Sequence, residues 1–308
     1  MSRTVVGISL KLASAAVFVA MVALVKLLSD TFPTGQLVFS RAFFGIVPVL
    51  IWITFQGQLA TALKTKHPAT HIVRGLVGTS AMALWFTALG YLPLPDATAI
   101  SYAAPLVTVA FAAVLLQEKV RVYRWSAVAV GFVGVLVVLF PHLGDGLDPA
   151  AEGTRIGAIF ALISAVFMAL ATIFIRKMTA TETTAAIVVY FSITATVISL
   201  LTLPFGWVWP SPGQAALLVL IGLMGGVGQI LLTSSYRFAE ASVIAPFDYS
   251  TMIWTILIGI VFFDEVPTLY VIAGAAIVIG AGLFVIYRES RLGIDRSAQR
   301  KVTTPMKV

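Results

Sequence analysis

Asp248 and Tyr249 stand just after Pro246, a turn or two inside an apolar run from Ala241 to Val266 that closes on Asp264 and Glu265. A carboxylate in lipid costs roughly 3 kcal/mol or more, so Asp248 is expected to face a cavity or a partner. Pro246 removes a backbone donor and frees carbonyls, which membrane helices tolerate best beside a cavity. A second polar group beside a proline, Ser101, Tyr102 and Pro105, lies in an earlier apolar run. Asp248 can accept hydrogen bonds from a ligand hydroxyl or amine, or carry a proton. Trp85, Tyr102, Tyr249 and Trp254 offer stacking faces and hydroxyls suited to a flat, partly polar organic molecule, although aromatics also fill cores. Arg41 lies about two turns inside its run, too deep for easy snorkelling. It can pair with Asp248, neutralise an anionic ligand, or tie two helices together, and a structural or gating pair is favoured. Lys11 is nearer a helix end and is expected to snorkel. Gln229 can hydrogen-bond a ligand or another helix.

This is binding chemistry rather than catalysis. The chain has no HExxH, no GxSxG and no carboxylates at metal-ligand spacing, and His67, His71 and His142 sit at or near loops. Cysteine is absent. No enzyme activity, cofactor or metal is therefore expected. The run GLMGGVG lies inside an apolar stretch with no strand before it, so it is not a nucleotide loop, and no Walker A motif occurs elsewhere.

The elements that must position these residues are long. Of 308 residues, 59% are hydrophobic and 11% charged, with a mean hydropathy of +1.01. The apolar residues come in runs, which defines an all-α polytopic membrane protein. About ten spans of roughly 20 residues fit the chain: 5–28, 34–55, 71–92, 96–116, 123–140, 155–175, 184–203, 213–236, 241–266 and 268–287. The net charge of +7 does not signal a nucleic-acid partner, because the basic residues sit in short loops and the tail. Lys64, Lys66, Lys119, Arg121, Arg176, Lys177, Arg237 and the tail fall on one side. Asp30, the acidic connector after residue 141, Asp264 and Glu265 fall on the other, with Arg155 the main exception. The positive-inside rule then places both termini in the cytoplasm.

The chain also repeats itself. The first and sixth spans pair Gly7 with Gly157, Ser14 with Ser164 and Lys26 with Arg176. The third and eighth pair Gly75 with Gly222 and Gly78 with Gly225, and the fourth and ninth end alike, VLLQEKV against VFFDEVP. A small gap is expected between the starts and ends of that last pair. Glu118 and Glu265 oppose the helix dipole, so backbone amines of the following turn are expected to hold them, a structural role. Small residues at Gly222, Gly226, Gly131 and Gly134 are expected to bring helices close. Each half has an odd number of spans, so the two halves are inverted, the build of many secondary transporters with the substrate near the midplane. The expected organisation is a first five-helix repeat over 1–141, an extracytoplasmic connector over 142–154, a second repeat over 155–287 and a basic cytoplasmic tail over 288–308.

The endings LLQEKV and FFDEVP, the paired first helices and the run APFDYSTMIWTILIGIVFFDEVPT resemble the EamA-type, ten-helix members of the drug/metabolite transporter superfamily. The resemblance covers the chain short of its tail. It departs at Asp264, where glycine is commoner before the glutamate. It implies a carrier of the bacterial inner membrane with a central cavity lined by both halves, similar to uptake carriers for riboflavin or S-adenosylmethionine and to exporters of amino acids and metabolites. The expected partners are a small organic metabolite, riboflavin first, the lipid bilayer and a coupling proton. One chain holds both halves, so a monomer suffices, with a dimer the alternative.

Overall fold

The structure, a computed structural model, describes residues 3–57, 64–65, 67–117, 120–143, 149–178, 181–238 and 245–291. Glu118, the 144–148 part of the connector and the tail beyond 291 lie outside these. Helices α1 (Arg3–Leu28), α2 (Thr34–Phe55), α3 (Pro68–Leu89), α4a (Leu94–Ser101), α4b (Ala103–Leu115) and α5 (Val122–Leu139) form the first half. Helices α6 (Pro149–Met178), α7 (Thr184–Leu200), α8 (Pro212–Phe238), α9 (Ser250–Phe263) and α10 (Leu269–Arg291) form the second. Among the described residues, eight stretches are long and apolar enough to cross a membrane, and α7 and α9 are shorter apolar helices. The described residues contain no strand. In lipid, only a fold that satisfies its own backbone survives, and helices do so within each segment.

Two bounds differ from expectation. Helix α6 begins at Pro149, so the second part of the connector is helical. The fourth span is two helices rather than one, broken at Tyr102. Pro105 lacks the N–H that would bond to the Ser101 carbonyl, and the helix stops there. The ninth span is interrupted at the same place. Ala245–Tyr249 is a tight 3₁₀ turn before α9 begins. Tyr102 (φ −66°, ψ −5°) and Tyr249 (φ −69°, ψ −12°) carry nearly the same backbone angles.

The repeat is built into the packing. Ser14 Oγ donates to the Gly228 carbonyl at 2.9 Å, and Ser164 Oγ donates to the Ala81 carbonyl at 2.8 Å. These bonds join α1 to α8 and α6 to α3, equivalent pairs that each cross from one half to the other. Helices α2 and α7, and α5 and α10, meet their own counterparts. The pseudo-twofold axis therefore runs between them. Gln117 (φ 52°) and Asp264 (φ 54°) are the two non-glycine residues in the left-handed region among those described. They stand at the same offset as Tyr102 and Tyr249, so no gap separates the start and end of this pair of spans. Left-handed backbone favours glycine, which explains physically why glycine suits this helix end.

The small residues work as expected. A Cβ on Gly222 would sit 2.5 Å from the Ser40 carbonyl, and one on Gly226 2.6 Å from the Gly45 carbonyl. Helix α8 thus lies directly against α2. Gly134 of α5 and Gly274 of α10 face each other's carbonyls in the same way.

Glu265 is held, but not by its following turn. Its Oε2 accepts from the Leu94 N–H at 2.7 Å, and its Oε1 lies 2.8 Å from Lys26 Nζ. Lys26 also donates to the Leu92 carbonyl at 2.6 Å. The carboxylate therefore sits at the N-terminus of α4a, where the dipole favours it, and ties α1, α4a and α9 together.

Candidate functional site

Two polar groups occupy the interior. The first gathers at the interruption of the ninth span. Lys11 Nζ forms an ion pair with Asp248 Oδ1. Lys11 does not snorkel. Its side chain is 4% exposed, whereas that of Asp248 is 55% exposed. Lys11 faces the start of the ninth span because α1 packs there and against α8. A lysine this deep is tolerated because the carboxylate supplies its counter-charge, and Asp248 keeps an open side. The Tyr102 and Tyr249 rings meet edge-on at 5.5 Å, and the Tyr102 hydroxyl lies 2.8 Å from Thr251 Oγ1. Ser101 is next to this group, but its hydroxyl is spent on the Thr98 carbonyl at 2.7 Å.

The second group lies where α2, α3 and α7 meet. Arg41 does not pair with Asp248. Its guanidinium carbon is 5.8 Å from the centre of the Phe191 ring, and that of Arg74 is 4.0 Å from the same ring. Sharing one ring brings the two positive charges near enough to repel one another. Among the described residues no carboxylate pairs with either. Arg74 Nε and Nη1 are buried without an acceptor. Glycines make the room: Gly78 lies under the Arg74 guanidinium and Gly225 beside the Arg41 side chain. Those glycines are one of the repeat's matched pairs.

The other expected residues are placed elsewhere. Trp85 packs half-buried against the main core, and Gln229 is half-buried in α8. Trp254 is 37% exposed and lies on the outward side of α9 with Ile253, Leu257 and Val261. The structure does not bring it to the Asp248 group. Two of the histidines expected at or near loops are buried beside carboxylates. His71 Nε2 is 3.5 Å from Glu182, and His142 Nε2 is 3.0 Å from Asp96. They brace opposite ends of the bundle. A shallow apolar groove between α5 and α10, lined by Ser126, Val130, Ala276 and Gly280, holds none of these polar residues.

Two inverted helical halves, with matched breaks beside ionisable groups at their interface, define a membrane carrier. The chain belongs to the EamA-like transporter family, whose family model matches residues 5–140 and again 155–288. It is similar to the S-adenosylmethionine uptake transporter of Rickettsia prowazekii (strain Madrid E), 29% identical over 266 residues, which are 86% of this chain and 87% of that one. It is also similar to the riboflavin transporter of Rhizobium johnstonii, 29% identical over 75% of this chain and 74% of that one. A pseudopaline exporter of Pseudomonas aeruginosa is 29% identical over 89% of this chain and 94% of its own. A crystal structure 20% identical to the chain superposes with a TM-score of 0.63 over 91% of this chain and 94% of that one, which shows the fold.

Proposed function

We propose that this transporter is a secondary carrier that takes up a small organic metabolite across the bacterial inner membrane by alternating access. In this reading both termini are cytoplasmic, residues 1–141 and 155–287 are the two inverted repeats, and a monomer suffices, with a dimer the alternative. The observation that carries it is the pair of matched interruptions at Tyr102 and Tyr249, beside the half-open Asp248 carboxylate. Interrupted helices at corresponding positions in two inverted halves are where such carriers hold their substrates. Asp248, Tyr249 and Tyr102 meet the cargo, and Asp248 either accepts its hydrogen bonds or carries a coupling proton.

The aromatic pair and the relatives that take up S-adenosylmethionine and riboflavin support a cargo with a flat ring system, riboflavin first. Export is the second reading, favoured by the pseudopaline exporter, which matches the longest share of this chain among the three relatives above. Uptake of labelled riboflavin into proteoliposomes of the purified protein tests the first, with unlabelled riboflavin, S-adenosylmethionine and tryptophan as competitors. Saturable uptake blocked best by riboflavin supports it. Blocking best by another competitor reassigns the cargo, and uptake no greater than in empty liposomes removes the vitamin.

A further inference from the structure

We propose that Arg41, Arg74 and Phe191 form a binding site for an organic anion, a metabolite whose carboxylate or phosphate docks between the two guanidinium groups while its apolar part lies against the ring. The proposal rests on the carrier reading for its purpose, and it favours a cargo with a carboxylate or phosphate over riboflavin, which has neither group.

Position is the first argument. Arg41 is seven residues beyond the first residue of α2, and Phe191 is seven beyond the first residue of α7. These helices are counterparts in the inverted repeat and pack on each other. Residues 41 and 191 therefore face one another across the pseudo-twofold axis, each about 10 Å from an opposite helix start. The midplane on that axis is where inverted-repeat carriers place their substrates.

Charge is the second. A buried ion pair breaks even at best, and a buried cation left alone is worse. Here two half-buried cations share one ring, each close enough to raise the cost of the other. Four carboxylates that could have served are committed elsewhere: Asp248 to Lys11, Glu265 to Lys26, Asp96 to His142 and Glu182 to His71. Arg74 Nε and Nη1 have no acceptor. Two like charges held together with no counter-charge are explained by a ligand that supplies it.

Shape is the third. A guanidinium stacked on a ring keeps its N–H edge free for bidentate bonding to a carboxylate or phosphate. Gly78 and Gly225 let the Arg74 and Arg41 side chains lie close along α3 and α8, where a larger residue would push them from the Phe191 ring.

The test uses the full-length protein in detergent at fixed ionic strength, with benzoate, phenyl phosphate and the neutral benzamide as probes. Benzoate or phenyl phosphate is expected to raise the melting temperature by about 2 °C or more at saturation, and benzamide to leave it unchanged. The larger response tells carboxylate from phosphate. Arg74→Gln is expected to weaken the responding anion about 30-fold or more, and without ligand to melt no lower than the native protein. Arg41→Gln serves as a second variant and Arg74→Lys as the charge-conserving control. Equal shifts by benzoate and benzamide, no shift by either anion, or a full response in both glutamine variants overturns the site. Uptake assays on the same preparation separate the two ideas. Transport with no anion response sinks the site and leaves the carrier. An anion response without transport of any cargo does the reverse.

Discussion

At the scale of single residues, the telling contrast is between Lys11 and Asp248. Their side chains are 4% and 55% exposed, so the two halves of the pair are not equally at risk. Asp248→Asn takes this counter-charge from a buried ammonium and is expected to cost about 3 kcal/mol. Lys11→Met leaves a carboxylate that water already reaches, and is expected to cost clearly less. Thermal melting of the two variants checks the order, and a reversal would mean that Lys11 has another way to its counter-charge. Asp248 was legible in the sequence because an acid in an apolar run demands a reason. Its partner was not. Lys11 is close enough to a helix end to look like a snorkelling residue, and only packing decides which side of α1 faces α8. Arg74 drew no expectation, because it stands shortly after the basic loop before α3. Its guanidinium travels up to Gly78, a reach that sequence position does not reveal.

Helices were more legible than partners. Bounds of the second span agree with expectation, since Pro33 and the loop after Phe55 punctuate it. The break at Tyr102 was foreshadowed only by Pro105, and the helical start at Pro149 was hidden by a polar, acidic stretch. The two left-handed helix ends yield a prediction at this scale. Asp264→Gly relieves backbone strain and is expected to stabilise the protein by about 1 kcal/mol, provided the Glu265 contacts survive. A lower melting temperature would show that Asp264 makes a needed contact of its own. Gly222→Val places branched atoms against the Ser40 carbonyl and the α2 backbone. It is expected to cost about 3 kcal/mol or more, because rigid backbone cannot yield as a side chain can. The yield of folded protein on size exclusion reports it, with the exposed Gly213 changed to alanine as the control.

For the whole molecule, the inverted repeat was readable because matched glycines, serines and helix endings recur in one order. The hydrogen bonds of Ser14 and Ser164 are its physical counterpart. Sidedness is a separate matter and rests on the distribution of Lys and Arg. A reporter active only outside the cytoplasm is expected to be on when fused within residues 144–152 and off when fused after Val308. The opposite pattern would invert the topology.

One departure from symmetry reaches furthest. In the alignment that pairs Ser14 with Ser164, Lys11 falls opposite Ala161. In the one that pairs Tyr102 with Tyr249, Asp248 falls opposite Ser101. The charged pair thus exists on one side of the twofold only. A carrier with identical halves would look the same to a solute arriving from either compartment. This one cannot, because the path from one side reaches an open carboxylate backed by a buried ammonium, and the path from the other reaches a serine and an alanine at the matching positions. Half-saturation measured in right-side-out and inside-out vesicles is therefore expected to differ, and the neutral double variant Lys11→Ala with Asp248→Ser is expected to narrow the difference. Equal KM values from both compartments in the native protein would assign the pair to folding alone.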